Sequence, residues 1–269
     1  MNFVCPKCSR PLAVFDGGAL KCPVGHSYDR AKAGYYNLLL SSVGGTHGDN
    51  REMVEARRDF LDTGAYKPLA DKVAELVSRY FTGGNLLDIG CGEGYYTDII
   101  EKSIRGTGAV LSAFDISRDA VKYAAKRNST VEYAVASAYH MPVANESFDA
   151  AVNMFSPLAT DEIKRALKPG GIFVMAIPGE NHLFGLKKAT YKTPYKNEVA
   201  DSKIDGFELL LTERVAYELS LDTSEKIKSL FMMTPYAYRT KKEDKERVLA
   251  LSSLKTEIEF VVFVYKKQN

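Results

Sequence analysis

No run of about 18 apolar residues occurs in this 269-residue chain, so a membrane-spanning helix is not expected. The opening MNFVCPKCSRPL lacks the apolar core of a secretory leader, and a cytoplasmic location is therefore expected. Cysteine is scarce: Cys5, Cys8, Cys22 and Cys91 are the full set. In a reducing compartment these four are not expected to form structural disulfides. An excess of charge of one sign is lacking too. With 36 Lys+Arg against 34 Asp+Glu the net charge is +2, which neither demands nor excludes a nucleic-acid partner. Any such partner would have to be held by a local basic surface. What is present is ordinary for a globular protein: 45% hydrophobic and 26% charged residues. A domain of roughly 200 residues can bury a core from such material without crosslinks.

Three of the cysteines stand close together at the N-terminus. Cys5-Pro-Lys-Cys8 is a CxxC and Cys22-Pro-Val-Gly-His26 a CxxxH, with 13 residues between the pairs. Pro6, Pro23 and Gly25 put each pair in a turn, and Asp16-Gly17-Gly18 reads as the tip of a hairpin that brings the pairs together. Three thiolates and one imidazole make a closed tetrahedral zinc shell with no position left for catalysis. A redox dithiol would need a thioredoxin-like helix start, which is missing. Cys5, Cys8, Cys22 and His26 are therefore read as a structural zinc site, and the ion should supply most of the module's folding energy. After it, SSVGGTHGDN (41–50) reads as a linker.

Two amphipathic helices are expected between Arg51 and Tyr80, the first stopping at Gly64 and the second carrying Pro68 in its first turn. An apolar strand then ends in Asp88-Ile-Gly90-Cys-Gly92-Glu93-Gly94, and a helix opens at about Tyr95. Glycines there allow a tight turn and close approach of backbone to ligand. There is no GK[ST], which excludes a P-loop. Acids at the strand end and inside the loop would repel a pyrophosphate but suit a sulfonium or ammonium group. A second strand ends in Asp115, whose carboxylate can accept both hydroxyls of a ribose. Cys91, inside the loop and without a base partner, reads as a core filler.

This loop resembles that of the Rossmann-like S-adenosylmethionine-dependent methyltransferases. The strand–helix pattern that follows, with SFDAAV and LKPGG in order, extends the likeness from Leu86 to about Pro178. The α/β fold implied is a seven-stranded methyltransferase domain over 51–269 behind a small zinc ribbon over 1–40, joined by the linker at 41–50. Taken end to end, the ribbon, AKAGYYNLL, RRDFLDTGAYKPL, LLDIGCGEGYYT and PGENHL resemble the RlmA/RrmA family of 23S rRNA (guanine-N1)-methyltransferases. That family has two branches acting on neighbouring guanines of one hairpin, one of them contributing to macrolide-type resistance. The resemblance implies S-adenosylmethionine and structural zinc as cofactors and a 23S rRNA hairpin as partner, with no membrane. It leaves a homodimer open.

By the same resemblance Tyr66 and His182 lie against the cofactor, with Gly92 and Glu93 at its methionine end. Phe114 and Asp115 lie at its nucleoside, and Ser137 near the adenine. Asp88 and Gly90 belong to the loop itself. For RNA the candidates are the ribbon's Lys7, Arg10, Lys21, Arg30 and Lys32, then Arg57 and Arg58, and GLKKATYKTPYKNE (185–198), where lysines alternate with tyrosines. The last can equally be a solvated loop. Phe155, in NMFSP after the fourth strand, either stacks on the acceptor base or packs in the core. Other classes remain: a small-molecule methyltransferase, or a non-catalytic zinc-ribbon RNA-binding protein.

Overall fold

A computed structural model describes residues 2–40, 48–199 and 201–269. The first seven positions of the expected linker, 41–47, lie outside the described residues, and the chain resumes at Gly48. The ribbon is a three-stranded antiparallel sheet of β1 (Ala13–Val14), β2 (Leu20–Lys21) and β3 (Ser27–Tyr28). The turn at 16–18 joins the first two strands, as the Asp-Gly-Gly tip implied.

Strand β4 (Tyr36–Asn37) lies parallel to the later strand β7 (Glu132–Val135), with Tyr36 opposite Ala134. Helices α1 (Arg51–Leu61) and α2 (Lys67–Tyr80) follow. Asn50 starts α1, its side chain accepting a hydrogen bond from the Met53 amide at 3.0 Å.

The centre of the fold alternates β5 (Asn85–Ile89), α3 (Tyr95–Ile104), β6 (Val110–Asp115), α4 (Arg118–Arg127), β7, β8 (Phe148–Met154), α5 (Thr160–Ala166) and β9 (Leu167–Pro178). The remainder is α6 (Phe184–Thr190), β10 (Phe207–Leu221), α7 (Ser224–Met232), α8 (Tyr236–Arg239), α9 (Lys242–Leu249) and β11 (Leu254–Lys267). The large sheet runs β10-β11-β9-β8-β5-β6-β7-β4, eight strands among the described residues. Seven come from the expected methyltransferase region, and β4 adds an eighth at the edge. Strands β9, β8, β5, β6, β7 and β4 are parallel, while β11 runs antiparallel to both β9 and β10.

The parallel strands are buried on both faces, which explains their near-continuous apolar runs. One face packs Leu86, Val152, Val174 and Val262 against α1 to α3 residues such as Phe60, Leu69 and Ile100. The other packs Leu87, Ile89, Phe114, Phe173 and Phe263 together with Phe3, Leu12, Leu20 and Cys22. The ribbon thus helps cover one face of the sheet rather than standing apart. Phe3 is fully buried and bridges Val143, and the Val4 amide donates to the Pro142 carbonyl at 2.7 Å.

The stretch 185–198 is not a uniform basic loop. Its start is helical in α6, and Lys187 is fully buried with its ammonium 4.3 Å from the Tyr195 ring centroid, donating to Asn197 Oδ1 at 2.5 Å. Lys187 is therefore packed as a structural cation and is not available to a phosphate. In this sheet the chain crosses from β7 back past β5 to β8, so the switch point lies at the carboxyl ends of β5 and β8, where open α/β sheets bind ligands.

Candidate active site and metal centre

At the end of β5 the backbone enters the left-handed region at Gly90 (φ 74), Gly92 (φ 56) and Gly94 (φ 85). A Cβ on Gly90 would overlap Ser156 of the loop after β8, and one on Gly94 would sit 2.8 Å from the Ala124 Cα of α4. Both positions need glycine, since each is left-handed and is closed over, Gly90 by the Ser156 side chain and Gly94 by the α4 backbone at Ala124. The Gly92 amide donates to Asp115 Oδ2 at 3.0 Å and the Ser117 amide to Asp115 Oδ1 at 2.7 Å. The loop is therefore tied to the end of β6 through the carboxylate expected to meet a ribose.

These elements wall a cavity of about 640 Å³, within the usual range for small-molecule sites. Asp88, Gly90, Gly92, Glu93 and Asp115 line it from the sheet side, and Tyr66, Tyr96, Phe155, His182 and Tyr236 from above. Among the described residues, the buried side-chain atoms without a hydrogen-bond partner are Asp88 Oδ1, Glu93 Oε1, Tyr96 Oη, Tyr133 Oη and Thr240 Oγ1. The first three belong to this one cavity. Buried polar atoms are costly to leave unpaired, so their clustering marks where a polar ligand is received.

Asp88 is 1% exposed, and its Oδ2 accepts from Thr97 Oγ1 at 2.6 Å. Burial pushes its carboxyl up to about 7, against the pull of the Thr97 hydrogen bond and with Asp115 adding repulsion. A cationic ligand would relieve both the burial penalty and the orphaned oxygen. Glu93 is held differently: Arg127 donates to its Oε2 from Nε at 3.0 Å and from a terminal nitrogen at 2.6 Å. Arg127 also pairs with Asp62 at 2.8 Å. Arg57 reaches into the cavity from α1, paired with Asp49 and donating to the Met233 carbonyl at 3.3 Å.

Tyr66 and His182 meet above the loop, Oη to Nε2 at 3.3 Å. His182 Nδ1 accepts the Glu259 amide at 3.3 Å, so in the neutral ring the proton sits on Nε2 and points at the Tyr66 oxygen. Burial, reinforced by the charge of Lys187, pushes the His182 pKa down to about 3. Burial also raises that of Tyr66 well above its ordinary value. Both groups are therefore neutral across the working pH range. The Tyr66 hydroxyl proton, with its oxygen already engaged, is free to point into the cavity.

The second centre lies in the ribbon. Ligand atoms of Cys5, Cys8, Cys22 and His26 all lie within 4.8 Å of one another. Cys8 and Cys22 sulfurs are 3.6 Å apart, and His26 Nδ1 is 3.4 Å from Cys5 Sγ and 3.3 Å from Cys22 Sγ. A tetrahedron with Zn–S of about 2.3 Å and Zn–N of about 2.0 Å has edges of about 3.8 Å and about 3.5 Å. The donor set and its spacing therefore fit zinc. Tyr28 places its hydroxyl 3.1 Å from Cys5 Sγ, an outer contact that steadies a thiolate ligand.

Residues 3–40 match the family model described as RlmA, N-terminal, and residues 87–175 match that of a methyltransferase domain. The 23S rRNA (guanine(748)-N(1))-methyltransferase of Streptomyces fradiae is 32% identical, over 81% of this chain and 79% of that protein. A Micromonospora griseorubida protein provisionally named 23S rRNA (guanine-N(1)-)-methyltransferase is 33% identical, over 88% of this chain and 86% of its own. This chain belongs to that family of zinc-ribbon 23S rRNA (guanine-N1)-methyltransferases. A Bacillus subtilis relative, YxjB, with the same provisional activity, is 29% identical over 94% of this chain and 92% of its own. Membership brings S-adenosylmethionine as methyl donor and zinc in the ribbon.

For a member of this family the geometry sorts the expected cofactor residues. Tyr66, Asp88, Gly90, Gly92, Glu93, Asp115 and His182 line one cavity. The Phe114 and Ser137 side chains are not among the lining residues. Phe114 is 1% exposed and packs into the sheet face shared with the ribbon. Its carbonyl accepts the amides of Gly90 and Cys91, at 2.9 and 3.0 Å. Ser137 Oγ accepts from the Tyr139 amide at 3.2 Å. Alternation along β6 explains the first placement: if Asp115 faces the loop, Phe114 points through the sheet.

Cys91 is buried in the core cluster, as expected of a filler. Tyr96, Phe155, Tyr236 and Met233 also line the cavity and were not singled out as cofactor residues. The Tyr-Tyr directly after the glycine loop was the available signal for Tyr96. No local pattern announces Met233, just past the end of α7, or Tyr236, which opens α8, both far along the chain.

Proposed function

We propose that the protein transfers a methyl group from S-adenosylmethionine to N1 of a guanine in a hairpin loop of 23S rRNA, with the zinc ribbon helping to hold the RNA. The observation that carries this reading is the cavity at the β5–β8 switch point, with the Asp88 orphan oxygen at its floor, in a chain whose ribbon is built into the same sheet. S-adenosylmethionine, when bound, supplies a methyl group already activated by its sulfonium. What the chain supplies is position.

Asp88 would hold the cationic end of the cofactor, with Gly90, Gly92 and Glu93 alongside. Asp115 would hold the ribose, and Tyr66, oriented by His182, would donate into the site. Phe114 and Ser137 would border the nucleoside end through backbone rather than side chain. The ribbon's exposed basic residues Lys7, Arg10, Lys21, Arg30 and Lys32 and the half-buried Arg58 are the proposed phosphate contacts. Arg57 is spent on Asp49 and the Met233 carbonyl. A guanine in a hairpin must leave its stack to reach such a cavity. No described helix is long and apolar enough to cross a membrane. Ribosomal RNA as substrate would place the reaction in the cytoplasm.

The test is partition of label. Tritiated S-adenosylmethionine is incubated with the protein and either protein-free 23S rRNA from cells lacking the gene or a small-molecule extract of those cells. Label in acid-precipitable RNA is expected. Label confined to the extract would replace the RNA reading with a small-molecule one.

A further inference from the structure

The carboxyl end of β8 carries a side chain that the cofactor roles above do not use. Phe155 lines the cavity and is 41% exposed, although a phenylalanine gains about 1.5–3 kcal/mol from full burial. Its backbone sits at φ 62, a genuine outlier for a bulky non-glycine residue. Neighbours hold it there. The Ser156 amide donates to Asn153 Oδ1 and Asn153 Nδ2 to the Pro157 carbonyl, both at 3.2 Å, while Ser156 Oγ donates to the Ile89 carbonyl at 2.8 Å. Asn153 itself is 1% exposed. The fold therefore maintains an exposed ring in a strained position, which runs against stability unless something covers the ring.

The ring is also buttressed. Its centroid lies 5.2 Å from that of Phe260 and 6.0 Å from that of Tyr96, and the exposed part of the ring borders the cavity. Tyr96 brings a buried hydroxyl with no partner, so a polar group is wanted beside the aromatic surface. A planar heterocycle with hydrogen-bonding edges satisfies both requirements. Position selects between the two heterocycles the reaction involves. In the sheet order β8-β5-β6, Asp115 closes β6 on one side of β5, and Phe155 stands past β8 on the other. With the ribose at Asp115 and the cationic end at Asp88, the side at β8 is left to the acceptor.

We propose that Phe155 is the surface on which the acceptor guanine stacks. This rests on the guanine-methylating reading above and adds the residue that seats the base.

The test measures methyl transfer to a 23S rRNA hairpin transcript by wild type, Phe155→Leu and Phe155→Trp, with S-adenosylmethionine binding as the check of fold. Loss of one base–aromatic stack, about 1–3 kcal/mol, corresponds to about 5- to 150-fold in kcat/KM for RNA in Phe155→Leu, with cofactor affinity unchanged. Phe155→Trp is expected to stay within a few-fold of wild type. Because the chain has no tryptophan, that variant also carries a single reporter. Its fluorescence should be quenched by the hairpin and much less by one abasic at the target. Wild-type kcat/KM in Phe155→Leu, or equal quenching by both RNAs, overturns the proposal while leaving the enzyme assignment standing. No transfer to RNA by the wild type, with cofactor bound, takes both readings down.

Discussion

The Tyr66 hydroxyl lies 3.3 Å from Nε2 of His182, although the two residues are 116 positions apart in the chain. One stands just before α2 and the other just after β9, and the sheet brings both over the glycine loop. With Nδ1 bound to the Glu259 amide, His182 can only donate from Nε2, so it orients Tyr66 and takes no proton at ordinary pH.

This makes His182 a positioning residue. In His182→Ala we expect S-adenosylmethionine affinity to fall about three- to tenfold, the size of one lost hydrogen bond of about 1 kcal/mol. The pH profile of wild-type binding between 5 and 8 should show no step that His182→Ala removes, because the imidazole stays neutral above about 3. Isothermal titration across that range reads both quantities. A histidine-dependent step near pH 6.5 would contradict the assignment.

Asp88 should supply the pH dependence instead. Its carboxyl titrates at about 7 in the ligand-free protein, raised by burial. A cationic ligand needs it ionised, so affinity should rise as pH increases through about 7 and fall by up to about tenfold per unit below that. The linkage to stability has the opposite sign. A carboxyl raised in the folded state contributes stability that is present below about pH 4 and is lost as pH rises toward 7. Ligand-free Asp88→Asn should therefore melt higher than wild type at pH 8, yet bind cofactor more weakly. Thermal scans with and without S-adenosylmethionine check the two signs together.

Phe3 links the ribbon to the sheet, and its removal should be felt by the whole protein. Phe3→Ala is expected to cost about 3–5 kcal/mol, the usual loss for a buried phenylalanine. Denaturant unfolding followed by far-ultraviolet dichroism measures it. A loss below about 1 kcal/mol would mean the ribbon does not share the core.

Zinc should bind at one ion per chain through Cys5, Cys8, Cys22 and His26. Cys22→Ala is expected to lose stoichiometric zinc, and a strong chelator should loosen the ribbon around the four ligands, while its share of the sheet core is kept by Phe3, Leu12 and Leu20. Metal analysis by emission spectroscopy gives the ratio. Full zinc content in Cys22→Ala would refute the ligand set.

What could be read in the sequence follows the range of the interactions. The loop Asp88–Gly94, the caps and the metal pairs are local: a strand end, three left-handed glycines and two turns suffice. The order of strands and helices from Leu86 to Pro178 was legible for the same reason. Tyr66 and His182 came through family resemblance, because nothing within a few residues of either points to the other. Three features escaped because they are made by distant partners. Tyr36–Asn37 becomes an edge strand only when β7 is beside it. Lys187 reads as a surface base until Tyr195, Tyr236 and Asn197 enclose it. Phe155 was undecided between base and core because its exposure depends on the turn that Asn153 and Ser156 lock.

The central claim is methylation at guanine N1. We would incubate protein-free 23S rRNA from cells lacking the gene with the protein and labelled S-adenosylmethionine, digest it to nucleosides, and identify the labelled species by chromatography and mass. The account predicts label in 1-methylguanosine and none with Asp88→Ala. Label in any other nucleoside, or undiminished transfer by Asp88→Ala, would contradict it.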